Sequence, residues 1–227
     1  MSPAAPVRGY FVTGTDTGVG KTRVAVALIH ALRAQGLRVA AMKPVAAGHA
    51  PGALNEDVAA LIAASNVPAD LCDVNPYAFE PAIAPHIAAA QAGVCVDLDV
   101  IRAAQARLAA RADAVVVEGA GGWRVPLNEH QDMADLAQAL GLPVVLVVGL
   151  RLGCLSHALL TAESVARRSL AWGGWVGNAI DPAMVCRDEN IAALRACLPG
   201  PCLGIFSYQP EGSAQMTTAQ SLVLPDS

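Results

Sequence analysis

An α/β fold, a mostly parallel central sheet flanked by helices on both faces, follows from three observations. Short apolar runs alternate along the chain with longer, alanine-rich segments. The strongest of these runs show no polar–apolar alternation, as expected of strands covered on both faces. Charged residues make up only 15 % of the chain, yet they recur just past the apolar runs. Strand, helix and strand in repetition make a parallel sheet inside two helical layers.

The expected strands are Tyr10–Val12, Val39–Met42, Ala114–Val117, Val144–Val148, Trp175–Val176 and Leu203–Phe206. Residues Thr22 to Gln35 place Val24, Leu28, Ile29 and Leu32 on one helical face and run into Gly36, a residue suited to the left-handed position past a helix end. Helical patterns recur at Asp57–Ala64, Leu98–Arg111, Met133–Leu140, Ser156–Arg168 and Asp188–Cys197. Gly48–Asn55 and Asn75–His86, the latter with Pro76, Pro81 and Pro85, read as loops; the polar tail past Glu211 reads as irregular, with Leu222–Pro225 able to pack down. No repeat or low-complexity linker divides residues 1–227, so one domain is expected.

Composition narrows the function classes. Hydrophobic residues make up 54 % of the chain and the mean hydropathy is +0.44, the opposite of a disordered chain. The longest strongly apolar run, Pro143–Leu150, falls far short of the roughly 20 residues that span a bilayer. The first residues carry no basic stretch followed by an apolar one, so no secretory signal is expected. A net charge of −4 argues against nucleic acid as a partner. The six cysteines form no C-x-x-C pair and read as buried free thiols of a cytoplasmic protein.

In open parallel sheets, ligands bind beyond the carboxyl ends of the strands. The first expected strand runs into Thr13-Gly14-Thr15-Asp16-Thr17-Gly18-Val19-Gly20-Lys21-Thr22, which opens a helix. Gly-Lys-Thr in that context is the signature of a P-loop. Backbone N–H groups cradle phosphate oxygens, the lysine reaches the terminal phosphates, and the threonine hydroxyl can hold Mg²⁺. The first glycine of the usual spacing is replaced by Thr15, with Gly14 one residue early. The expected fold is therefore a three-layer P-loop NTPase fold.

Further charges stand at strand ends. Glu118 follows the run Ala114–Val117, where such folds place an acidic partner for Mg²⁺; it also reads as a carboxylate on the sheet rim. Asp57 is a second candidate metal ligand or simply a first-turn helix charge. Lys43 precedes Pro44 after the second strand and reads as facing a substrate or as a snorkelling lysine. None of the five histidines has metal-ligand spacing with another; His30 reads as a structural residue of the first helix. No Gly-x-Ser-x-Gly elbow occurs, so phosphoryl transfer is favoured over acyl hydrolysis.

The stretch Tyr10–Thr22 closely resembles the phosphate loop of dethiobiotin synthetases. Lys43-Pro44-Val45-Ala46, Asn75–Phe79 with Pro85-His86, Val117–Trp123, Leu150–Ala158 and Gly174–Asn178 continue the resemblance in order, from about Tyr10 to Glu211. It implies an ATP- and Mg²⁺-dependent cyclo-ligase of biotin synthesis. The implied substrates are 7,8-diaminononanoate, CO₂ and ATP, and the implied route runs through a carbamate and a carbamic–phosphoric anhydride. It implies Lys43, Lys21 and Thr17 as catalytic residues and Thr22, Asp57 and Glu118 as Mg²⁺ ligands. Nucleotide contacts are implied at Thr17, Gly18, Val19, Gly20, Lys21, Thr22, Asp57, Glu118, Gly119, Ala120, Gly121, Asn178, Ser207, Tyr208, Gln209 and Glu211, with Asn178 at the adenine. It further implies a homodimer in which Gly153, Cys154, Leu155 and Ser156 of one subunit hold the carboxylate of the substrate bound to the other. Lys43 and Ala47 complete the implied substrate site.

The chain departs from the family where serine is common and Ala47 stands, at Ala179 in place of an acidic residue, and at Ser207-Tyr208-Gln209 in place of a Pro-Trp-Leu type of loop. The last two changes bear on base specificity. The alternative function is that of partition- and septum-site-type ATPase switches, which share the fold. Their loop carries a signature lysine where this chain has Asp16. Amidoligases of the cobyrinate type are longer and carry a glutaminase domain.

Overall fold

The computed structural model describes residues 8–210 and 222–224. The main sheet has six strands: β1 (Arg8–Gly14), β2 (Val39–Met42), β5 (Ala114–Glu118), β6 (Val144–Leu150), β7 (Trp172–Ala179) and β8 (Cys202–Phe206). Their order is β2-β5-β1-β6-β7-β8, and every neighbouring pair is parallel. A second, two-stranded parallel sheet pairs β3 (Val45–Ala47) with β4 (Tyr77–Phe79).

Every residue of β2, β5 and β6 is buried, which is why their sequences lack alternation. Successive side chains go to opposite layers. Val115 and Val117 of β5 pack with Phe11 against α5 (Leu98–Ala109) and α6 (Met133–Leu140). Ala114 and Val116 face α1 (Lys21–Ala34), joined by Val12, Val145 and Val147. Leu146, Val148 and Leu150 of β6 cover α7 (Cys154–Arg167) and α8 (Arg187–Cys197). Short helices α2 (Glu56–Ala64), α3 (Leu71–Val74) and α4 (Pro85–Gln91) complete the set. Asn55 caps α2 by accepting from the Asp57 and Val58 N–H groups. The expected turn past α1 is present, with Gly36 at φ +82°.

Several expectations are corrected. The stretch Asn75–His86 holds strand β4 and the start of α4. Its prolines read as loop signals, but Pro85 occupies the first helical turn, where its missing N–H costs nothing. Helices α3 and α4 and strand β3 are too short to leave a periodic signal. The cysteines are free, yet only Cys154 is buried; Cys72, Cys95, Cys186 and Cys197 are exposed and Cys202 is intermediate. Cys72 and Cys197 are on outer positions of α3 and α8, Cys186 precedes α8 and Cys95 lies between α4 and α5, places where apolar neighbours in sequence do not bury a residue. His30 is exposed on α1. Leu222 packs on the α1 side of the core, and the Val223 N–H reaches the Leu203 carbonyl; Pro225 lies outside the described residues. Among the described residues, no helix is long and apolar enough to cross a membrane.

Leu28 is fully buried between α1 and the sheet, so Leu28→Ala is expected to lower stability by about 2–5 kcal/mol in urea unfolding. Val100 is 46 % exposed, and Val100→Ala should change stability by less than about 0.5 kcal/mol.

Candidate active site

The carboxyl end of the sheet gathers the scarce charges. After β1 the chain turns through Asp16 to Gly20 and enters α1, whose N-cap Gly20 has φ +91° and supplies no side-chain cap. A side chain there would strike the Asn178 amide at 2.2 Å, so glycine is required. The first turn of α1 holds no acidic residue, which leaves its N–H groups and positive dipole end for an anion.

Lys21 is 7 % exposed, and its Nζ donates to the Asp16 carbonyl at 2.9 Å. Burial, with Lys43 nearby, lowers its pKa to about 8. The Thr22 hydroxyl lies 2.7 Å from Asp57 Oδ1 and 2.9 Å from Glu118 Oε1. Lys43 leaves β2 with only 4 % exposure. Its Nζ donates to Asp57 Oδ2 at 2.8 Å and to Glu118 Oε1. Burial alone would lower the Lys43 pKa, but the carboxylates of Glu118 and Asp57 raise it above its usual value, so the ammonium stays charged. Burial raises the Glu118 pKa against the pull of Lys43. For Asp57, the Lys43 charge outweighs burial and holds the pKa below its usual value.

A cavity of about 680 Å³ opens over this cluster. It brings together Thr17, Gly18, Gly20, Lys21, Thr22, Lys43, Ala47, Asp57, Glu118, Ala120 and Gly121. Asn55 and residues 82–85 close its other wall. Val19 sits beneath, its side chain in the core. Gly119 packs against Met133 and Phe11, whose side chains would lie 3.3 Å from an added Cβ, a tight fit that requires them to shift.

Residues 8–216 match the family model described as an AAA domain. The ATP-dependent dethiobiotin synthetase BioD of Nitrosospira multiformis is 55 % identical over 208 residues, covering 92 % of this chain and 92 % of that protein. Its counterpart from Aromatoleum aromaticum is 53 % identical over 221 residues, covering 96 % of this chain and 98 % of that protein. The chain belongs to the dethiobiotin synthetase family. Dethiobiotin synthetases are ATP-dependent ligases, and the chain is an enzyme of that class. Among solved structures, the septum site-determining protein MinD of Pyrococcus horikoshii, complexed with Mg-ADP, has a TM-score of 0.55 at 17 % identity, covering 89 % of this chain and 82 % of that one. A ParA family ATPase of Chlorobium tepidum scores 0.52 at 15 % identity, covering 89 % and 84 %. These likenesses show the P-loop NTPase fold alone.

Two groups of the residues expected from the resemblance are not among those lining the cavity. Asn178 ends β7 behind the phosphate loop, and the Ser207 carbonyl beyond β8 accepts from Arg23 at 2.8 Å; Tyr208 is exposed and Gln209 partly buried. Glu211 lies outside the described residues. Gly153 to Ser156 form the start of α7, where Gly153 at φ +93° is an N-cap without a side-chain cap and the first turn again lacks acidic residues.

Two further residues escape pattern reading. Arg151 donates to Asp16 Oδ2 at 2.6 Å. The Asp16 Oδ1 accepts the Thr17 N–H, which holds the carboxyl below its usual pKa with help from Arg151. Arg23 joins α1 to the ends of β7 and β8. Their partners lie over a hundred positions away, so no local signal could have named them.

The residues fit a hard divalent cation. Three oxygens converge, yet the one Thr22 proton can satisfy only one of two carboxylates. Glu118 Oε2 is buried without a hydrogen-bond partner. Among the described residues, no cluster of three His, Cys, Asp or Glu could hold a metal, so remaining positions would go to water and phosphate oxygens.

Lys43→Met strands the buried Glu118 carboxylate and is expected to cost about 3–5 kcal/mol in urea unfolding without Mg²⁺; adding Glu118→Gln should recover most of that. Lys21 loses its proton from about pH 8 in the free protein, whereas bound phosphates favour the charged form. ADP affinity should therefore fall by up to about tenfold per pH unit above that point. Calorimetry in buffers of different ionisation enthalpy should register proton uptake on binding there.

Proposed function

We propose that this chain forms the ureido ring of dethiobiotin from 7,8-diaminononanoate, CO₂ and ATP, in a single cytoplasmic P-loop domain spanning residues 1–227. The observation that carries the reading is the meeting of two buried lysines, Lys21 and Lys43, with Thr22, Asp57 and Glu118 in one cavity.

The reaction needs that arrangement. One amine attacks CO₂, loses a proton and becomes a carbamate. A carbamate oxygen attacks the γ-phosphorus, and the bond to ADP breaks. The second amine then attacks the anhydride carbon, closes the ring and expels phosphate. The difficult step brings carbamate and triphosphate, both anions, into contact. Lys43 is charged and held in place by its carboxylates, ready to meet the carbamate. Lys21 and the N–H groups of Thr17 to Thr22 receive the terminal phosphates, so the catalytic set is Lys43, Lys21 and Thr17. Preorganised positive charge of this kind is usually the largest catalytic contribution. Thr22, Asp57 and Glu118 would hold Mg²⁺, which neutralises charge on the phosphates when bound. Gly119 to Gly121 border the nucleotide, and Asn178 with residues 207–209 lies on its base side. Ala47 leaves the substrate wall without the hydroxyl common in the family; its loss removes one hydrogen bond, worth about 0.5–1.5 kcal/mol.

We assign the substrate carboxylate to the start of α7 in a partner subunit. That end is uncapped and free of acidic residues, with Gly153 and Ser156 exposed and Cys154 buried. Leu152, 92 % exposed just before it, and Leu160, 62 % exposed on the second turn of α7, offer apolar surface to a second copy. The ATPase-switch alternative is disfavoured by Asp16, which stands where those switches carry lysine and is tied to Arg151.

ADP release should require both diaminononanoate and bicarbonate; hydrolysis indifferent to both would favour the switch. Lys21→Ala should lower turnover at least ~10²-fold with an unchanged unfolding midpoint.

A further inference from the structure

The nucleotide must lie across the phosphate loop, which follows the central strand β1. The cation-ligand cluster occupies the β2–β5 side of that loop, so the base falls on the β6–β7–β8 side. Asn178, at the end of β7, is 5 % exposed there. Its Nδ2 donates to the Val19 carbonyl at 2.9 Å, and its Oδ1 accepts from Arg23 Nη1 at 2.9 Å. Exchanging amide oxygen and nitrogen would set carbonyl against carbonyl and N–H against guanidinium, so the two partners together fix the orientation. Arg23 is itself held. It donates to the Ser207 carbonyl at 2.8 Å, and its guanidinium lies 4.9 Å from the centre of the Phe206 ring.

An asparagine amide singles out adenine when its oxygen accepts from the 6-amino group while its N–H donates to a ring nitrogen. In this chain the oxygen already serves a cation. A 6-amino N–H approaching the second lone pair would come up beside the guanidinium. Ala179 supplies no acceptor in its place. A purine carrying oxygen at position 6 brings a second acceptor beside the Asn178 oxygen, but the guanidinium charge that repels an amino N–H attracts that oxygen and offsets the repulsion. The remaining Asn178 N–H can still donate to a ring nitrogen.

We propose that Arg23 is a specificity-determining residue: by occupying the Asn178 carbonyl it makes the base site accept purines without regard to the 6-amino group. This rests on the reading of the cavity as a nucleotide site with Asn178 on its base side.

The test compares binding of Mg-ADP and Mg-IDP to the full chain by calorimetry. The two nucleotides differ in the group at position 6 and the ring proton that accompanies it. The unsubstituted protein should bind both within about threefold. Arg23→Met keeps an apolar stem over Phe206 but frees the Asn178 oxygen, and ADP should then be preferred by about five- to tenfold, the effect of one regained hydrogen bond. Arg23→Lys retains the cation and should stay near the unsubstituted ratio. A purely structural role would move both affinities together. A preference for ADP of about tenfold or more in the unsubstituted protein overturns the proposal and needs no variant. So does an unchanged ratio in a folded Arg23→Met protein. Failure of both nucleotides to bind the unsubstituted chain would instead remove the nucleotide site itself. Dependence of ADP release on diaminononanoate is read separately, so loss of the ligase reading would leave the ADP/IDP ratio interpretable.

Discussion

The ion pair between Lys43 and Glu118 is the contact on which the site depends. Both residues end strands that are buried along their whole length, and neither has more than a few per cent exposure. Two charges in such a place are tolerated because they neutralise each other, with Asp57 and Thr22 completing the contacts. Removing either partner leaves an unpaired charge in an apolar surround, the costly case. The pair also joins the ends of β2 and β5, which are neighbours in the sheet. The cavity thus opens at the carboxyl ends of β2 and β5, over this pair.

A second constraint is visible in how helices begin. Helices α2, α5, α6 and α8 carry acidic residues in their first turns, which satisfies the positive end of the dipole within the chain. The longest helices, α1 and α7, begin instead at left-handed glycines with no side-chain cap and no acid. The same local chemistry is therefore repeated at the ends of β1 and β6. One of these ends faces the cavity, and the other faces outward beside exposed leucines. Both ends lie past neighbouring strands of the sheet, β1 and β6, and Arg151 bridges them by donating to Asp16.

The surroundings of Arg23 contrast with those of Lys21. Around Lys21 the positive charge lines the cavity and rests on the Asp16 carbonyl. Around Arg23 the same charge is turned inward, onto an amide, a carbonyl and an aromatic ring of the protein itself. Arg23 lies two positions past Lys21 on one helix, so the face of α1 that each occupies decides which role its charge takes.

Much of this was legible in the residues. The unalternating runs at 114–117 and 144–148 identified buried strands, and Gly20-Lys21-Thr22 between a strand and a helix identified the phosphate loop. Both are local patterns whose physical cause lies within a few positions. Residues 75–86 read as a loop because strands β3 and β4, of three residues each, leave no periodic signal; they pair with one another and pack Val45 and Phe79 into the core across more than thirty positions of sequence. Burial of the cysteines is not local either, because it depends on which helix face meets the core for Cys72 and Cys197 and on where a connection runs for Cys95. For Asp57 and Glu118, the residue types and strand-end positions named candidates but left their simpler roles open. Only the tertiary structure set Thr22, 35 and 96 positions away in sequence, within hydrogen-bonding distance of both. The sequence by itself determined the sheet, the loop and the family. The fold decided which charges meet, because contacts between distant strand ends follow from the order β2-β5-β1-β6-β7-β8, and no spacing along the chain encodes that order.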